Sequence, residues 1–157
     1  MSPKLLMLAA AAVTTIAATG FAATQAGGTT PAARTAKLAP VVIHETFTPL
    51  PCAGAPGHRT TPEMEGCAEK QILATDTQVN VLGAEIFQLL GDDRARRDFN
   101  AAQRAWLNYR TADCFSMSDL FEGGTEAAVV DAQCVASRNN QRIKDLRTFK
   151  RDLLQTG

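Results

Sequence analysis

Long hydrophobic runs, histidine and catalytic motifs are scarce in this sequence of 157 residues. Its longest apolar run, from Leu5 to about Ala18, is shorter than the roughly 20 residues that a membrane-spanning helix needs. No CxxC pair occurs, and His44 and His58 lie at spacings unsuited to a zinc site. No G-x-S-x-G, H-E-x-x-H or phosphate-binding glycine loop is found. We therefore expect no enzyme, no catalytic residue, no metal, no cofactor and no stable membrane anchor.

An excess of either charge is also missing. The chain carries 16 basic and 16 acidic side chains, so its formal net charge is zero. Nucleic-acid binding rewards a concentrated basic surface, which this balance does not provide. It gives no general attraction to an anionic membrane either. A protein partner is the remaining expectation, and the sequence leaves the oligomeric state open.

The N-terminal region has the pattern of an export signal followed by a linker. Lys4, the apolar run and small residues near Ala22 and Ala26 predict a signal peptide over residues 1–26. No cysteine precedes Cys52, so we expect no lipid attachment. Residues 27–59 are rich in Gly, Thr, Ala and Pro, which predicts a flexible, disordered tether. Its apolar residues at 41–43 and 47 are the plausible docking points. The localisation expected after cleavage is secreted, periplasmic or cell-envelope.

The four cysteines fit the expected localisation, because an even number in a small exported domain favours disulfides. Zinc binding is the weaker alternative. Four cysteines allow three connectivities, and the sequence does not decide among them directly. We favour Cys52–Cys67 and Cys114–Cys134, since each closes a short local loop.

Residues 60–157 predict an all-α domain, a small antiparallel three-helix bundle. Thr61 and Pro62 suit a first helix start, and apolar residues then recur at helical spacing as far as Leu90. Asp92 or Asp93 would cap the second helix, and Thr125 would begin the third. Because the connections are short, neighbouring helices should be antiparallel.

The second helix carries an unusual stripe that is aromatic and polar at once. Buried Arg or Gln needs partners, and the first helix offers an Asp and an Asn on adjacent turns. We expect a structural polar seam rather than a catalytic or ligand site. Its members are Asp76, Asn80, Gln103, Trp106, Tyr109 and Arg110.

Charge is unevenly distributed along the helices. Acidic side chains dominate residues 63–93 and basic ones residues 138–151, which is most simply explained by pairing of the first and third helices. A second acidic group surrounds Gly123-Gly124: Asp119, Glu122, Glu126 and Asp131. This rim would suit a basic protein partner.

Several of these elements together resemble the LprI-type lysozyme inhibitor family of exported bacterial proteins. The most specific block is Ala102–Cys114, which reads AQRAWLNYRTADC. The other matching elements are Cys52, Thr61–Cys67, Asp76–Asn80, Gly123-Gly124, Cys134 and Arg142–Leu146. The resemblance covers residues 52 to 147.

The resemblance implies a secreted inhibitor that binds a basic cell-wall hydrolase, such as lysozyme, through an acidic loop. We define the acidic loop as Asp119, Glu122, Gly123, Gly124 and Glu126, the candidate partner-binding residues. Family members are often lipoproteins, and the absent lipid-acceptor cysteine means that surface tethering does not carry over. The alternative is an exported helical interaction module of the cell envelope with no lysozyme role. A small envelope hydrolase is the weakest option.

Overall fold

Three long α-helices make up most of the computed structural model, which describes residues 37–156. They are α1 (Thr61–Leu89), α2 (Asp93–Ser118) and α3 (Thr125–Thr156), with a short 3-10 turn at Asp119–Phe121. No strand occurs within the described range. The predicted all-α three-helix bundle is confirmed. The predicted signal peptide, and the part of the predicted tether before residue 37, lie outside the described residues.

The helices begin where local chemistry satisfies their first N–H groups. The N-cap of α1 is Thr60, one residue before the predicted Thr61. Glu63 reaches back to accept hydrogen bonds from the Thr60 N–H (2.8 Å) and hydroxyl (2.9 Å). These two bonds hold the pKa of Glu63 below its ordinary value. The N-cap of α2 is Asp92, one of the two candidates predicted, with its carboxylate accepting from two backbone N–H groups.

The short connections fold the helices back on one another, and α3 is central. It packs along much of α1 and less extensively along α2, whereas the backbones of α1 and α2 are seldom close. None of the helices in residues 37–156 is both long and apolar enough to cross a membrane.

The core consists of two apolar clusters separated by polar side chains. The larger cluster contains Val79, Ile86, Leu90, Phe99, Ile143 and Leu146. The smaller one contains Ala68, Ile72, Ala132 and Ala136, whose small side chains let α1 and α3 approach closely. Thr75, Asp76, Arg110 and Asn139 are buried at the level between the two clusters. We call these four residues the polar layer.

Both disulfides form as favoured from the sequence. Cys52 is bonded to Cys67 near the start of α1. Cys114 near the end of α2 is bonded to Cys134 early in α3. Because α2 runs against the other two helices, both bonds lie at the same end of the bundle. Closing loops of 15 and 20 residues, they should each contribute about 3 kcal/mol in the chain-entropy model.

An extended segment, residues 39–50, lies along the groove that α1 and α2 leave between them. We call it the strap. The side-chain amide of Asn80 on α1 bonds both the N–H (2.8 Å) and the C=O (2.9 Å) of Ile43. On α2, Asn100 bonds the Val41 N–H (3.3 Å) and the Ala39 C=O (2.7 Å). The strap belongs to the predicted tether, and the structure shows that this part of it is packed. The tether boundary at residue 59 stays a prediction.

The strap repeats the layering of the core. Ile43 packs against the larger apolar cluster and Phe47 against the smaller one. Glu45, between them, pairs with Arg110 of the polar layer. Alternate residues of an extended chain point to the same side, so one face of the strap follows the apolar–polar–apolar order of the helices. The strap therefore completes the core.

Gly66 lets the end of the strap cross α1. A Cβ at this position would overlap the carbonyl group of Leu50 and lie 2.8 Å from the Pro51 oxygen. No larger residue fits there without moving the backbone. The crossing is further held by the Leu50 N–H, which donates to the Glu69 carboxylate at 2.6 Å.

Candidate functional site

Arg110 is the centre of the polar layer. Its guanidinium donates to Asp76 Oδ1 at 2.8 Å, to Asn139 Oδ1 at 2.9 Å and to Glu45 Oε1 at 3.1 Å. Only 7% of Arg110 is exposed. One side chain thus links all three helices and the strap, since its partners lie on α1, α3 and the strap.

Asp76 shares this buried arrangement and is unusually easy to protonate. Burial raises the pKa of Asp76 to about 6, opposed by the Arg110 charge and reinforced by the Glu45 charge. A close ion pair ordinarily lowers a carboxyl pKa. Here Glu45 shares the same guanidinium, and Asp76 Oδ2 has no hydrogen-bond partner. Desolvation therefore outweighs the attraction.

A second network lies nearer the start of α2, around Trp106. Arg142 donates through both Nε and a terminal nitrogen to the Gln103 side-chain oxygen. The guanidinium carbons of Arg110 and Arg142 lie 5.5 and 5.4 Å from the Trp106 ring centroid. Burial lowers the pKa of Arg142 below its usual value. Cation–π contact with one indole thus connects the two networks.

The predicted polar seam is divided by the structure into four environments. Asp76 and Arg110 meet, whereas Gln103 pairs with Arg142 and Asn80 holds the strap. Tyr109 lies on the surface beneath Arg138, whose guanidinium carbon is 5.9 Å from its ring centroid. The expected contacts of Asn80 and Gln103 with Asp76 and Arg110 are wrong, because other partners stand nearer on the strap and α3.

Sequence reasoning missed several members of these networks, Thr75 and Arg142 among them. Asn139 lies on the core face of α3, where it donates to Thr75 and Asp76. Its spacing on an otherwise apolar face was the available signal. Glu45 and Asn100 were missed because the strap was interpreted as tether. The alternation of Val41, Ile43, Glu45 and Phe47 could have revealed it.

The acidic loop connects α2 to α3 and is held by backbone hydrogen bonds. The Glu122 N–H donates to Asp119 C=O (3.2 Å), and the Gly124 N–H to Phe121 C=O (2.9 Å). Glu122 has a φ of 49° and Gly123 a φ of 73°, which places two successive residues in the left-handed region. Such a conformation is costly for Glu122 but suits Gly123.

The loop carboxylates face water without counter-charges. Asp119, Glu122 and Glu126 are exposed, and none of them takes part in an ion pair within residues 37–156. Apolar side chains stand beside them: Leu120 is 80% exposed and Phe115 is 63% exposed. The loop thus combines free negative charge with apolar surface.

A small cleft opens between the strap and the helices, next to Phe115. Its volume is about 300 Å³, and Phe47 and Phe115 contribute aromatic surface to it. Glu45, Arg110 and Asp131 contribute the charged groups. Burial raises the pKa of Asp131, and the Arg110 charge opposes that shift.

The disulfide end contains one group of residue types that could hold a metal, at Asp113, Cys114 and Cys134. Both cysteines are oxidised to a disulfide, so neither offers a thiolate. The Asp113 carboxylate is already engaged by Arg138 at 2.7 Å. The chemistry of this donor set does not fit a metal ion.

Comparison with models of known protein families gives a match over most of the described chain. A family model described as "Lysozyme inhibitor LprI" matches residues 52–146. The matched range contains all four cysteines, the polar layer and the acidic loop. No curated protein and no solved structure matches the chain.

Proposed function

Because the chain belongs to the LprI family of lysozyme inhibitors, we propose that it is a secreted inhibitor that binds a basic cell-wall hydrolase, lysozyme, through the acidic loop. This family is one of inhibitors and not of catalysts. The observation that carries the proposal is the exposed negative charge of the loop, for which the described part of the chain offers no counter-ion. A basic partner would supply it.

The physical argument starts from electrostatic steering. Carboxylates that are exposed and unpaired attract a positively charged protein over about one Debye length, roughly 8 Å at physiological salt. Complementary charge chiefly raises the association rate. The exposed apolar side chains beside the loop, Leu120 and Phe115, would add buried area once contact is made.

The stiffness of the loop supports the same role. Three backbone hydrogen bonds, among them Ala127 N–H to Gly124 C=O at 2.9 Å, restrain it. The Cys114–Cys134 bond ties together the two helices that the loop connects. A surface held in one conformation loses less conformational entropy on binding.

The two disulfides support an extracellular or envelope location, since such bonds persist in oxidising compartments. Export would place the protein where cell-wall hydrolases act. The signal peptide over residues 1–26 stays a prediction, and N-terminal sequencing of the exported protein would test it.

The decisive experiment is inhibition of lysozyme-driven lysis of cell walls by the purified protein, with and without reductant. A loop variant neutralises the three exposed carboxylates: Asp119→Asn, Glu122→Gln and Glu126→Gln. A matched control neutralises three exposed aspartates distant from the loop: Asp98→Asn, Asp145→Asn and Asp152→Asn. Both variants change the net charge by the same amount, so a difference between them reports where the charge is lost and not how much.

We expect the loop variant to associate at least about 10-fold more slowly at low salt, with a weaker salt dependence, while the control stays within about 2-fold of wild type. An equal decrease of the association rate in both variants would mean that net charge alone explains the effect, which would contradict a role for the loop. No inhibition of several lysozyme types at micromolar protein would contradict the inhibitor function itself. The interaction module with another envelope partner would then be the better explanation.

A further inference from the structure

The cleft beside Phe115 has the composition of a side-chain pocket. At about 300 Å³ it lies at the lower limit of ligand sites, which span roughly 300–1,000 Å³. Phe47 from the strap and Phe115 from the last turns of α2 give it aromatic surface, and Val135 on α3 adds an aliphatic contact. Such walls suit a short apolar stem better than a large ligand.

Asp131 is the charged group in this cleft that has no partner. It is half-buried on α3, and neither a hydrogen bond nor an ion pair engages its carboxylate within residues 37–156. Its partial burial withdraws the carboxylate from water, which raises its pKa, although the Arg110 charge opposes that shift. A cation in the cleft would compensate this desolvation.

The other charges of the cleft also favour a cation. Arg110 is nine-tenths buried and already donates to Asp76, Asn139 and Glu45. Glu45 accepts through Oε1, which leaves Oε2 without a hydrogen bond to the described chain. Two carboxylates, of Glu45 and Asp131, thus line the cleft against one guanidinium, whose two terminal nitrogens are already engaged and whose Nε has no partner within residues 37–156. An anion would meet net negative charge there.

We propose that this cleft receives one basic side chain, a lysine or an arginine, of the protein partner. Its aliphatic stem lies against Phe47 and Phe115, and its cationic head is held by Asp131 and Glu45. Long basic side chains have both parts, an apolar stem and a charged end, and aromatic faces attract their charge. This inference rests on the proposed function and gives the acidic loop a neighbouring anchor.

The two sites have different kinetic roles. The acidic loop is exposed, so it acts on the rate of encounter, whereas a cation desolvated in the cleft acts on the rate of dissociation. Residues that bury a partner side chain in a pocket near the interface centre dominate binding energy in many complexes. Asp131 should therefore affect the lifetime of the complex and leave its association rate nearly unchanged.

The test compares Asp131→Asn with Asp152→Asn by surface plasmon resonance against an inhibited lysozyme. The two aspartates lie on the same helix and their substitutions remove the same charge. We expect Asp131→Asn to dissociate about 10- to 100-fold faster and Asp152→Asn to stay within about 2-fold of wild type. Equal dissociation rates for the two variants would overturn the pocket and leave the inhibitor function standing.

A second measurement tests, without lysozyme, whether the cleft binds a basic side chain. Titration of the wild-type protein with N-acetyl-argininamide, followed by NMR, should give saturable shifts of the Ile72 and Val135 methyl groups at millimolar ligand. Asp131→Asn should abolish these shifts. If lysozyme is not inhibited, the proposed function fails, and this titration alone decides the pocket. An absence of saturable shifts in wild type would overturn it.

Discussion

Replacement of Arg110 by alanine is expected to destabilise the protein by about 3–5 kcal/mol at neutral pH, the usual cost of removing one partner from a buried ion pair. The guanidinium is almost fully buried and makes three side-chain hydrogen bonds. Its loss leaves the Asp76 carboxylate in the core without a counter-charge. It also leaves the Asn139 oxygen without its donor, and the strap without its ionic contact to α2.

The size of the destabilisation depends on the protonation state of Asp76 in the Arg110→Ala variant. Its pKa is already about 6 in the intact fold, and removal of the positive charge raises it further. One pKa unit corresponds to about 1.4 kcal/mol, so protonation of Asp76 at pH 7 costs little free energy and removes the buried charge. Protonation thus limits the destabilisation by Arg110→Ala to about 3–5 kcal/mol. At pH 5, where wild-type Asp76 is itself mostly protonated, the difference between wild type and variant should be smaller.

The assay is urea denaturation at pH 7 and pH 5, accompanied by thermal melting. At roughly 4 °C per kcal/mol for a domain of this size, the melting temperature should fall by about 12–20 °C. Arg138→Ala is the matched control, because Arg138 also pairs with an aspartate and contacts an aromatic ring but has a side chain that is 38% exposed. It should cost no more than about 1 kcal/mol.

Two outcomes would refute this reasoning. The first is equal destabilisation by Arg110→Ala and Arg138→Ala at pH 7. The second is a double variant, Arg110→Met with Asp76→Leu, that is no more stable than Arg110→Ala. Replacing both members of a buried pair by apolar side chains should recover most of the loss, because the remaining carboxylate, that of Glu45, keeps access to water with 24% of its side chain exposed.

Three further predictions concern proton uptake, the disulfide and the strap. The pKa of Asp76 is about 6 in the fold and about 3.9 in an unfolded chain. Its contribution to the free energy of unfolding is therefore full below about pH 4 and is lost as the pH rises through 6. Over that window wild type should lose roughly 3 kcal/mol of stability relative to Asp76→Asn, measured by urea denaturation. Joint substitution of Cys114 and Cys134 by serine should cost about 3 kcal/mol, measured in the same way. Asn80→Ala, which removes both hydrogen bonds to the strap, should cost about 1–3 kcal/mol and speed proteolysis within the strap. Asn140→Ala, whose amide bonds only its own helix, should do neither.

Each of these has a contrary outcome. Parallel stability curves for wild type and Asp76→Asn from pH 4 to pH 7 would contradict the raised pKa. An unchanged denaturation midpoint in the serine variant would mean that the bond does not restrain the unfolded chain. Equal proteolysis of the Asn80 and Asn140 variants would mean that the amide does not hold the strap.

The helices and disulfides were predictable because their signals are local. The start of α2 needs only Asp92 and the residues after it, and the start of α3 follows the Gly-Gly pair directly. The up-down-up order brings the four cysteines to one end of the bundle, and the short local loops favour Cys52–Cys67 and Cys114–Cys134 among the three connectivities. The pairing of Asp76 with Arg110 was within reach too, since a buried guanidinium requires an acid.

The strap was not predictable from composition, because its order comes from distant residues. Asn80 and Asn100 bind its backbone from 37 and 59 to 61 positions away. A segment rich in Pro and Thr cannot form such contacts alone, so by itself it has the features of a tether. Gly66 is similar, since its role becomes visible only when the strap crosses it. The binding role of the acidic loop depends on a second molecule and stays a proposal.

The course of the strap has a practical consequence for attachment. Ala39 lies beside Asn100, in the third turn of α2, and Phe149 near the end of α3 stacks on Phe99 with ring centroids 6.1 Å apart. The described chain therefore enters and leaves at the end of the bundle that is remote from Gly123 and Gly124. A fusion, label or solid support joined at either side of residues 37–156 would leave the opposite end pointing outward. Immobilisation at the ends of the described range, next to residue 37 or residue 156, is thus the geometry that keeps the loop accessible.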